Sequence, residues 1–414
     1  MEKESKFHYA WLVVLGCGML IAGTVTFYTV VIGNFFVPAA ESMGVEYSSI
    51  SLYSTLVYLG IAAGLPFVGN MIEEMPPIGI AAFAGIQSVI IAILSFTNSV
   101  ALWWVGGAIV GIGMSFTSIV FVSTVLTNWF EKKTGFAIGL AWALASVASA
   151  IMSPLSVMMI DAMGWRMALL VFAIVAACLA VPAALLIVQY SPERKGMKPY
   201  GYDPAAHAEG EMAAGVPFSK AIRSAAFVLL AFALAATQIA SVINTYFPVY
   251  AESVGFAPTV GALMISVALI FDIGLNPLVG WTIDKFGAVK AFVAWMAVGI
   301  LSMVILMASA GNVIMAYLGA GLGDVLYVLL GVGIASVAST VFGTKDYGKI
   351  FAYMTIAGFA AGSIGGFVIT KLYEVTGSFD AVFMFVIGTV VAISAAVVVA
   401  GALGKKLPWE GERA

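Results

Sequence analysis

Twelve long apolar runs constrain the fold of this chain more than any other feature of its sequence. Each run is close to the 20 or so residues that a helix needs to cross the hydrocarbon core of a bilayer. The 414 residues are 62% hydrophobic and 9% charged, and a soluble fold could not cover so much apolar surface. We predict transmembrane helices over 10–33, 48–70, 78–98, 101–128, 135–160, 165–189, 223–250, 258–283, 288–310, 313–342, 348–373 and 378–403.

The positions of the basic residues predict how these helices are oriented. Short cytoplasmic loops accumulate Lys and Arg. With the N-terminus placed in the cytoplasm, 16 of the 18 Lys and Arg residues fall on the cytoplasmic side, and only Arg166 and Lys371 fall outside. Twelve helices with both termini cytoplasmic are therefore predicted. We expect an all-α, multi-pass protein of the cytoplasmic (inner) membrane, and its short loops fit a bacterial one.

Several functional classes are disfavoured by what the sequence lacks. The net charge of −3 is too small to indicate a nucleic-acid partner. Cys17 and Cys178 lie within separate apolar runs, which is typical of core residues rather than a disulfide or a metal pair. No His, Cys and carboxylate set has metal-ligand spacing, and no nucleophile–base pair is apparent. We expect no metal, no cofactor and no enzymatic activity.

One long polar stretch, 191–222, divides the runs into two groups of six. We predict an N-terminal six-helix bundle over 1–190, a cytoplasmic linker over 191–222 and a C-terminal six-helix bundle over 223–414. Internal repetition supports this division. The segment 66–73 aligns with 277–284, and further alignments follow at nearly the same offset.

Those further alignments lie at equivalent helix–loop junctions. The segment 129–135 aligns with 342–348, and 161–164 aligns with 374–377, both at an offset of 213. Two related six-helix halves suit alternating access, in which one half rocks against the other around a binding site at the membrane midplane.

The loop after the eighth run carries a recognisable motif. Gly280-Trp281-Thr282-Ile283-Asp284-Lys285-Phe286-Gly287, with Lys290 beyond it, resembles the loop signature of the major facilitator superfamily. The resemblance implies a cytoplasmic gate in which Asp284 and Lys285 latch helices together. The copy in the first half keeps Gly69 and Glu73 but has Met75-Pro76-Pro77 where basic residues and Gly are usual.

A second set of junctions is similar to the oxalate/formate antiporter and monocarboxylate transporter branch of that superfamily. Its residues are Asn128-Trp129-Phe130, Lys133-Thr134-Gly135-Phe136-Ala137-Ile138-Gly139, Pro154-Leu155, Gly164-Trp165-Arg166, Tyr347-Gly348 and Leu372-Tyr373-Glu374-Val375-Thr376-Gly377-Ser378. This resemblance implies a small organic carboxylate as substrate. The chain departs from the branch at Asn276, where an Arg that binds the carboxylate is common, and at Met354, where some relatives carry a basic residue.

Two acidic residues lie deep within predicted transmembrane helices. Asp272 is near the middle of the eighth run, and Asp324 is about 11 residues into the tenth. Because a charge inside a bilayer is costly, such residues are candidates for function. They are predicted to bind the coupling ion, H⁺ or Na⁺. Alternatively, they contact a substrate ammonium group, or they are hydrogen-bonded acids that serve helix packing.

The superfamily lines its cavity mainly with the first, fourth, seventh and tenth helices, together with parts of the second, fifth, eighth and eleventh. By this resemblance the candidate substrate-binding residues are Tyr28, Thr117, Trp142, Gln238, Asn276 and Tyr327. For Thr117 the alternative is a hydroxyl bonded to its own helix carbonyl.

The leading hypothesis is a secondary active transporter of a small organic solute, a mono- or dicarboxylate by resemblance, coupled to H⁺ or Na⁺ symport. The neutral donors Tyr28, Asn276, Tyr327 and Trp142 would then replace the absent Arg. A second hypothesis keeps the fold but assigns a neutral or cationic amine substrate, with Asp272 or Asp324 as its counter-ion. A third is a membrane receptor or intramembrane enzyme without transport. We expect a monomer whose partners are its small-molecule substrate, the ion and the lipid bilayer.

Overall fold

The computed structural model describes residues 8–202 and 214–410. The central part of the predicted linker, 203–213, lies outside the described residues. So do both chain ends, which contain Lys3, Lys6 and Arg413 of the charge count.

The described chain has 11 helical segments that are long and apolar enough to cross a membrane. One of them, Thr134–Ile187, has 54 residues and is interrupted at Gly164, whose φ of 78° and ψ of 153° are not helical. It therefore provides two spans, 134–163 and 165–187. In chain order the spans are span 1 (Ala10–Met43), span 2 (Tyr47–Gly69), span 3 (Pro77–Leu94), span 4 (Val100–Trp129), span 5 (134–163), span 6 (165–187), span 7 (Ala225–Ser253), span 8 (Thr259–Phe286), span 9 (Ala288–Met307), span 10 (Val313–Phe342), span 11 (Tyr347–Thr376) and span 12 (Phe379–Gly404).

The predicted all-α fold with twelve spans is confirmed. The chain forms two compact units, Met1–Glu209 and Gly210–Ala414. The first unit contains spans 1–6 and the second contains spans 7–12. The predicted domain limits around 191–222 and the cytoplasmic location of both termini stay predictions.

The first and fourth helices of each unit are interrupted. Span 1 contains a 3₁₀ turn at Val31–Phe35, and span 7 contains one at Val242–Tyr246, which is 211 residues later. Span 4 is broken between Ser115 and Ile119. Span 10 is broken at Asp324, where one helix ends and the next begins. Interrupted helices at membrane depth are tolerated where other groups satisfy the freed backbone, and they mark functional sites in many transporters.

Small residues allow the helices within each unit to approach closely. Spans 2 and 4 meet at Gly60 and Gly111. A Cβ atom added at Gly111 would lie 2.1 Å from the carbonyl oxygen of Val57, and one added at Gly60 would lie 2.4 Å from that of Ala108. In lipid, such close backbone packing supplies much of the attraction between helices.

Candidate functional site

The two deep acids of the second unit come together. Asp272 lies on span 8 and Asp324 lies at the break in span 10; their side chains are 4% and 5% exposed. Their carboxyl groups lie close enough to interact electrostatically. The sequence predicted each acid at depth but not their pairing, because spans 8 and 10 are joined only by the tertiary fold.

Two asparagine amides flank the acid pair. The Nδ2 atom of Asn276 donates to the Oδ1 atom of Asp272 at 2.8 Å and to the Asp272 carbonyl oxygen at 2.9 Å. The spacing of four residues places both side chains on one face of span 8. From the 3₁₀ turn of span 7, the Nδ2 atom of Asn244 donates to the Oδ1 atom of Asp324 at 2.8 Å.

Two oxygen atoms of this cluster are buried without a hydrogen-bond donor. They are the Oδ2 atom of Asp324 and the Oδ1 atom of Asn244. A buried acceptor that lacks a donor is costly, so such atoms indicate a proton, an ion or a ligand that completes the site.

The basic residues within the described spans of the second unit lie away from the middle of the membrane. Lys285, Lys290, Lys349 and Lys371 all lie close to the ends of their spans. The tyrosines Tyr246 and Tyr250 on span 7 direct their hydroxyls to other partners. Tyr246 bonds to the Gly366 carbonyl oxygen and Tyr250 to that of Leu306.

Tyr28, a predicted substrate-binding residue, lies fully buried within the first unit. Its hydroxyl donates to the Oγ atom of Ser88 at 2.7 Å, and its ring packs edge-on against Phe172. The hydroxyl of Ser88 donates in turn to the Ala84 carbonyl oxygen at 3.2 Å. Tyr28 therefore ties span 1 to span 3.

Thr117 lies at the break in span 4 and is also fully buried. Its hydroxyl accepts a hydrogen bond from the Nε2 atom of Gln87 at 3.2 Å. The Oε1 atom of Gln87 is buried and has no donor. The amide oxygen of Gln87 therefore lacks a hydrogen-bond donor beside the break in span 4.

Trp142 on span 5 presents a buried Nε1 atom without an acceptor. Four hydroxyls of the same unit, at Ser118, Ser123, Thr127 and Ser149, are buried without a partner as well. These groups are neutral hydrogen-bond donors. In a site without an Arg, an anion would have to be bound by neutral donors of this kind.

The remaining predicted substrate residues lie in the second unit. Gln238 on span 7 is buried and packs its side chain onto span 11, where a Cβ atom at Gly362 would lie 2.8 Å from its Cγ atom. Tyr327 follows the acid pair on span 10 and is 37% exposed. Asn276 bonds directly to Asp272, and Asp324 lies nearby. In the first unit, Tyr28 and Thr117 lie in separate hydrogen-bonded pairs, whereas the Nε1 atom of Trp142 has no acceptor.

The predicted gate motif of the second unit lies at the end of span 8. Gly280 is buried, whereas Asp284 and Lys285 are exposed. The Nζ atom of Lys285 lies over the Trp281 ring at 4.7 Å from its centroid, which is a cation–π arrangement. The motif therefore presents both charges at the surface of the unit.

In the first unit the basic partner of the gate loop comes from another segment. Gly69 is buried and Glu73 is exposed. Arg194, in the 3₁₀ turn that follows span 6, donates to the carbonyl oxygens of Glu73 and Met75. Its guanidinium also lies over the ring of Tyr190 at 5.3 Å, and burial raises the pKa of Tyr190 to about 12.

Asn244 could be identified from the sequence, because it is a polar residue at mid-depth in span 7. Three other residues that the structure ties to the candidate sites were missed. Ser88 and Gln87 are neighbours on span 3 and resemble ordinary helix polar residues. Arg194 lies in a polar segment whose contacts depend on the fold of the unit.

The Major Facilitator Superfamily profile matches residues 15–366. This match covers most of the chain, which therefore belongs to the Major Facilitator Superfamily. Membership places it among transporters rather than enzymes.

Two curated relatives are monocarboxylate transporters. Monocarboxylate transporter 4 of Rattus norvegicus is 23% identical over 279 residues, which is 66% of this chain and 57% of the rat protein. Monocarboxylate transporter 3 of Gallus gallus is 24% identical over 164 residues, which is 38% of this chain and 29% of the chicken protein. The matched region thus spans little more than half of the first relative and under a third of the second.

Solved structures of the same fold match nearly the whole chain. The proton:xylose symporter bound to 6-bromo-6-deoxy-D-glucose has a TM-score of 0.67 at 15% identity, covering 98% of this chain and 97% of that one. A human organic anion transporter has a TM-score of 0.65 at 13% identity, covering 94% and 98%. A bacterial homologue of the iron transporter ferroportin has a TM-score of 0.65 at 12% identity, covering 97% and 99%. At these identities the likeness establishes the fold alone.

Proposed function

We propose that this protein is a secondary active transporter of a small organic carboxylate, coupled to H⁺ or Na⁺ through Asp272 and Asp324. The observation that carries the proposal is the pair of acids buried at membrane depth in the second unit. Membrane proteins retain such costly groups where an ion or a proton must bind.

The substrate class rests on two lines of support. The curated relatives are named as monocarboxylate transporters, although each match covers only part of the relative. The first unit contains neutral buried donors, among them the Nε1 atom of Trp142, that lack acceptors. A carboxylate supplies such acceptors. We extend the proposal to Thr117, Gln238, Asn276 and Tyr327 as residues that contact the substrate, and to Tyr28 as the residue that braces span 1.

The proposed cycle is alternating access by a monomer in the cytoplasmic membrane. In this cycle the loops that carry Asp284 and Lys285 in one unit, and Glu73 in the other, act as the cytoplasmic gate. The transporter is a symporter if the carboxylate and the cation cross the membrane together in the same direction.

The test is uptake into proteoliposomes that contain the purified protein. Labelled pyruvate, oxalate and malonate are offered with an inward H⁺ gradient, with an inward Na⁺ gradient, and with neither. We expect one of the carboxylates to accumulate above equilibrium with one of the two gradients. The matched variant Asp272→Asn should lose accumulation but keep exchange of labelled for unlabelled substrate.

The competing candidate is an amine substrate, which the acid pair itself favours. Ethanolamine and choline in the same assay separate the two candidates, because a counter-ion role predicts that Asp272→Asn abolishes amine binding as well as accumulation. Transport of an amine with no transport of any carboxylate would refute the proposed substrate class.

A further inference from the structure

Two buried oxygen atoms on neighbouring side chains of the second unit lack a hydrogen-bond donor. They are the Oδ2 atom of Asp324 on span 10 and the amide oxygen of Asn244 on span 7. We propose that both are ligands of a bound Na⁺ ion. This site rests on the proposed function and deepens it, because it adds Asn244 to the ion-binding residues and selects Na⁺ rather than H⁺.

A single hydrogen bond places the two oxygen atoms in the same region. The Nδ2 atom of Asn244 donates to the Oδ1 atom of Asp324 at 2.8 Å. Each of the two unmet oxygens shares its carbon atom with one end of that hydrogen bond. A buried acceptor without a donor is costly, and here two such acceptors lie side by side. One cation would satisfy both.

The chemistry of these oxygens favours a metal cation over a proton. An amide oxygen is too weakly basic to hold a proton, so in a site that binds only H⁺ the amide of Asn244 could serve only as a hydrogen-bonding partner. Hard metal cations, in contrast, are bound by neutral carbonyl and amide oxygens as well as by carboxylates. Asn244 and Asp324 supply one ligand of each kind.

Both side chains lie where a helix is interrupted. Asn244 lies in the 3₁₀ turn Val242–Tyr246, and Asp324 directly follows the helix Val313–Gly323. The C-terminal end of a helix carries a partial negative charge, which favours a cation beside Asp324. Interrupted helices of transporters bind Na⁺ through unwound backbone carbonyls and helix C-terminal ends. Carbonyl oxygens of these two interruptions, together with water, would complete the coordination of the ion.

The fold of the unit does not require the two polar side chains at these positions. In the first unit the equivalent 3₁₀ turn, Val31–Phe35, has Gly33 at the position that lies 211 residues before Asn244. The position 213 residues before Asp324 is Gly111. The turn therefore forms without a side-chain amide. A polar pair that is present in only one of two related units indicates binding rather than the shared architecture.

The surroundings of Asp324 favour a small monovalent cation. Among the described residues, no group of three or more His, Cys, Asp and Glu side chains could hold a metal ion, and a divalent cation usually needs several charged ligands. Packing beside Asp324 is close, since a Cβ atom at Gly321 would lie 2.7 Å from the Phe271 ring and one at Gly323 would lie 2.8 Å from the Ser302 hydroxyl. Asp324 is 5% exposed, which leaves little surface for an organic ammonium group.

Thermal unfolding of the purified protein tests the site without any substrate. NaCl is replaced stepwise by choline chloride or by KCl at constant pH and ionic strength. A cation that binds the folded state raises the unfolding temperature. We expect a saturable rise with Na⁺ and none with choline or K⁺. Radioactive sodium should bind to the parent protein saturably, and unlabelled Na⁺ but not choline should displace it.

Variants at Asn244 separate an ion ligand from a residue that only positions Asp324. Asn244→Ala removes the oxygen, so the Na⁺ concentration that gives half of the rise should increase by about tenfold or more. Asn244→Asp removes the amide donor but keeps an oxygen ligand, so the response to Na⁺ should persist. Asp324→Asn removes the charge and should abolish the response. Thr245→Ala is the matched control from the same turn, because the Thr245 hydroxyl bonds to the Val242 carbonyl oxygen, and it should respond as the parent does.

Three results would overturn the Na⁺ site. The first is an unfolding temperature of the parent protein that is equal in NaCl, KCl and choline chloride. The second is a response lost as completely in Asn244→Asp as in Asn244→Ala, which would show that Asn244 acts only as a donor to Asp324. The third is carboxylate accumulation driven by an H⁺ gradient without any effect of Na⁺, which would leave the proposed transport activity standing. A Na⁺ response as expected, with no carboxylate transported, would instead count against the proposed substrate alone.

Discussion

Single hydrogen bonds decide what the polar side chains inside this bundle can do. Asn276 lies where the family resemblance led us to expect an Arg, and its amide is committed to Asp272. An amide leaves the negative charge of the acid in place, whereas an Arg would neutralise it. Tyr28 is likewise committed, since its hydroxyl donates to Ser88. For these residues, the sequence identified the candidates and the structure identified their hydrogen-bonding partners.

Tyr28→Phe tests whether that hydroxyl serves the fold. We expect the variant to lose about 1 kcal/mol of stability, because a buried hydrogen bond is removed while the ring keeps its packing. Thermal unfolding of the purified protein in detergent measures the loss.

Ser88→Ala is the matched control for Tyr28→Phe. The double variant should be no less stable than either single one, which is the signature of a shared bond. An unchanged unfolding temperature in Tyr28→Phe, combined with weaker substrate binding, would show that the hydroxyl serves the substrate instead.

Glycine residues let the helices of each unit pack closely, and short segments beside the helix ends are joined by backbone hydrogen bonds. Spans 2 and 4 touch backbone to backbone at Gly111, where a Cβ atom would overlap the Val57 carbonyl oxygen. In the second unit, Gly215 and Glu410 exchange backbone hydrogen bonds of 2.9 Å, and Val216 donates to the Phe342 carbonyl oxygen at 2.7 Å. The segment before span 7, the loop after span 10 and the tail after span 12 are thereby joined.

Gly111→Ala should be severely destabilising. The added methyl group would lie 2.1 Å from a backbone oxygen, which cannot move without separating the two helices, and overpacking of this kind costs roughly 1–3 kcal/mol or more. Gly388→Ala on span 12 is the matched control, because nothing lies within 4 Å of its added Cβ atom. The yield and unfolding temperature of the two variants should diverge, and equal values would contradict the packing argument.

The attachment of the tail after span 12 should weaken in acid. The Lys345 ammonium hydrogen-bonds the Glu410 carboxylate, which lowers the pKa of Glu410 and raises that of Lys345. Because the pKa of Glu410 is lowered, the stability that this ion pair gives to the attached tail is present above the ordinary pKa near 4.5. That stability is lost as the pH falls through the lowered pKa. For Lys345, whose pKa is raised, the same stability is present below the ordinary pKa of 10.5 and is lost as the pH rises through the raised pKa.

Proteolysis of the tail at graded pH, with an acid-tolerant protease, measures this effect. We expect faster cleavage near Glu410 at acidic pH in the parent protein. Glu410→Gln should be cleaved at a rate that does not depend on pH in the same range. The effect should also diminish in high salt, because the ion pair is exposed.

The whole molecule is a duplicated six-span unit, and its orientation in the membrane follows from charge. The basic residues predict that the loop between spans 4 and 5 is cytoplasmic, whereas the end of span 1 is external. The family match and the solved structures of the same fold agree with the two-unit architecture.

Accessible cysteines test the orientation. In a background with Cys17→Ala and Cys178→Ala, we expect Lys132→Cys to react with a membrane-impermeant maleimide only in inside-out vesicles. Glu41→Cys should react only in intact cells, since both positions are exposed and are predicted to lie on opposite sides of the membrane. Labelling of Lys132→Cys from outside intact cells would reverse the assignment of both termini.

The apolar runs by themselves determined the number of spans, their approximate limits and the internal repeat, because the cost of placing polar backbone in lipid leaves helices as the only solution for such runs. The same cost made Asp272 and Asp324 conspicuous in the sequence. Only the tertiary structure decided that these acids, 52 residues apart, lie close together, that Asn244 reaches Asp324 from a third span, and that Arg194 contacts the loop after span 2. Contacts between spans depend on helix rotation and on where helices are interrupted, and neither is encoded in the periodicity of a segment that is apolar on all sides.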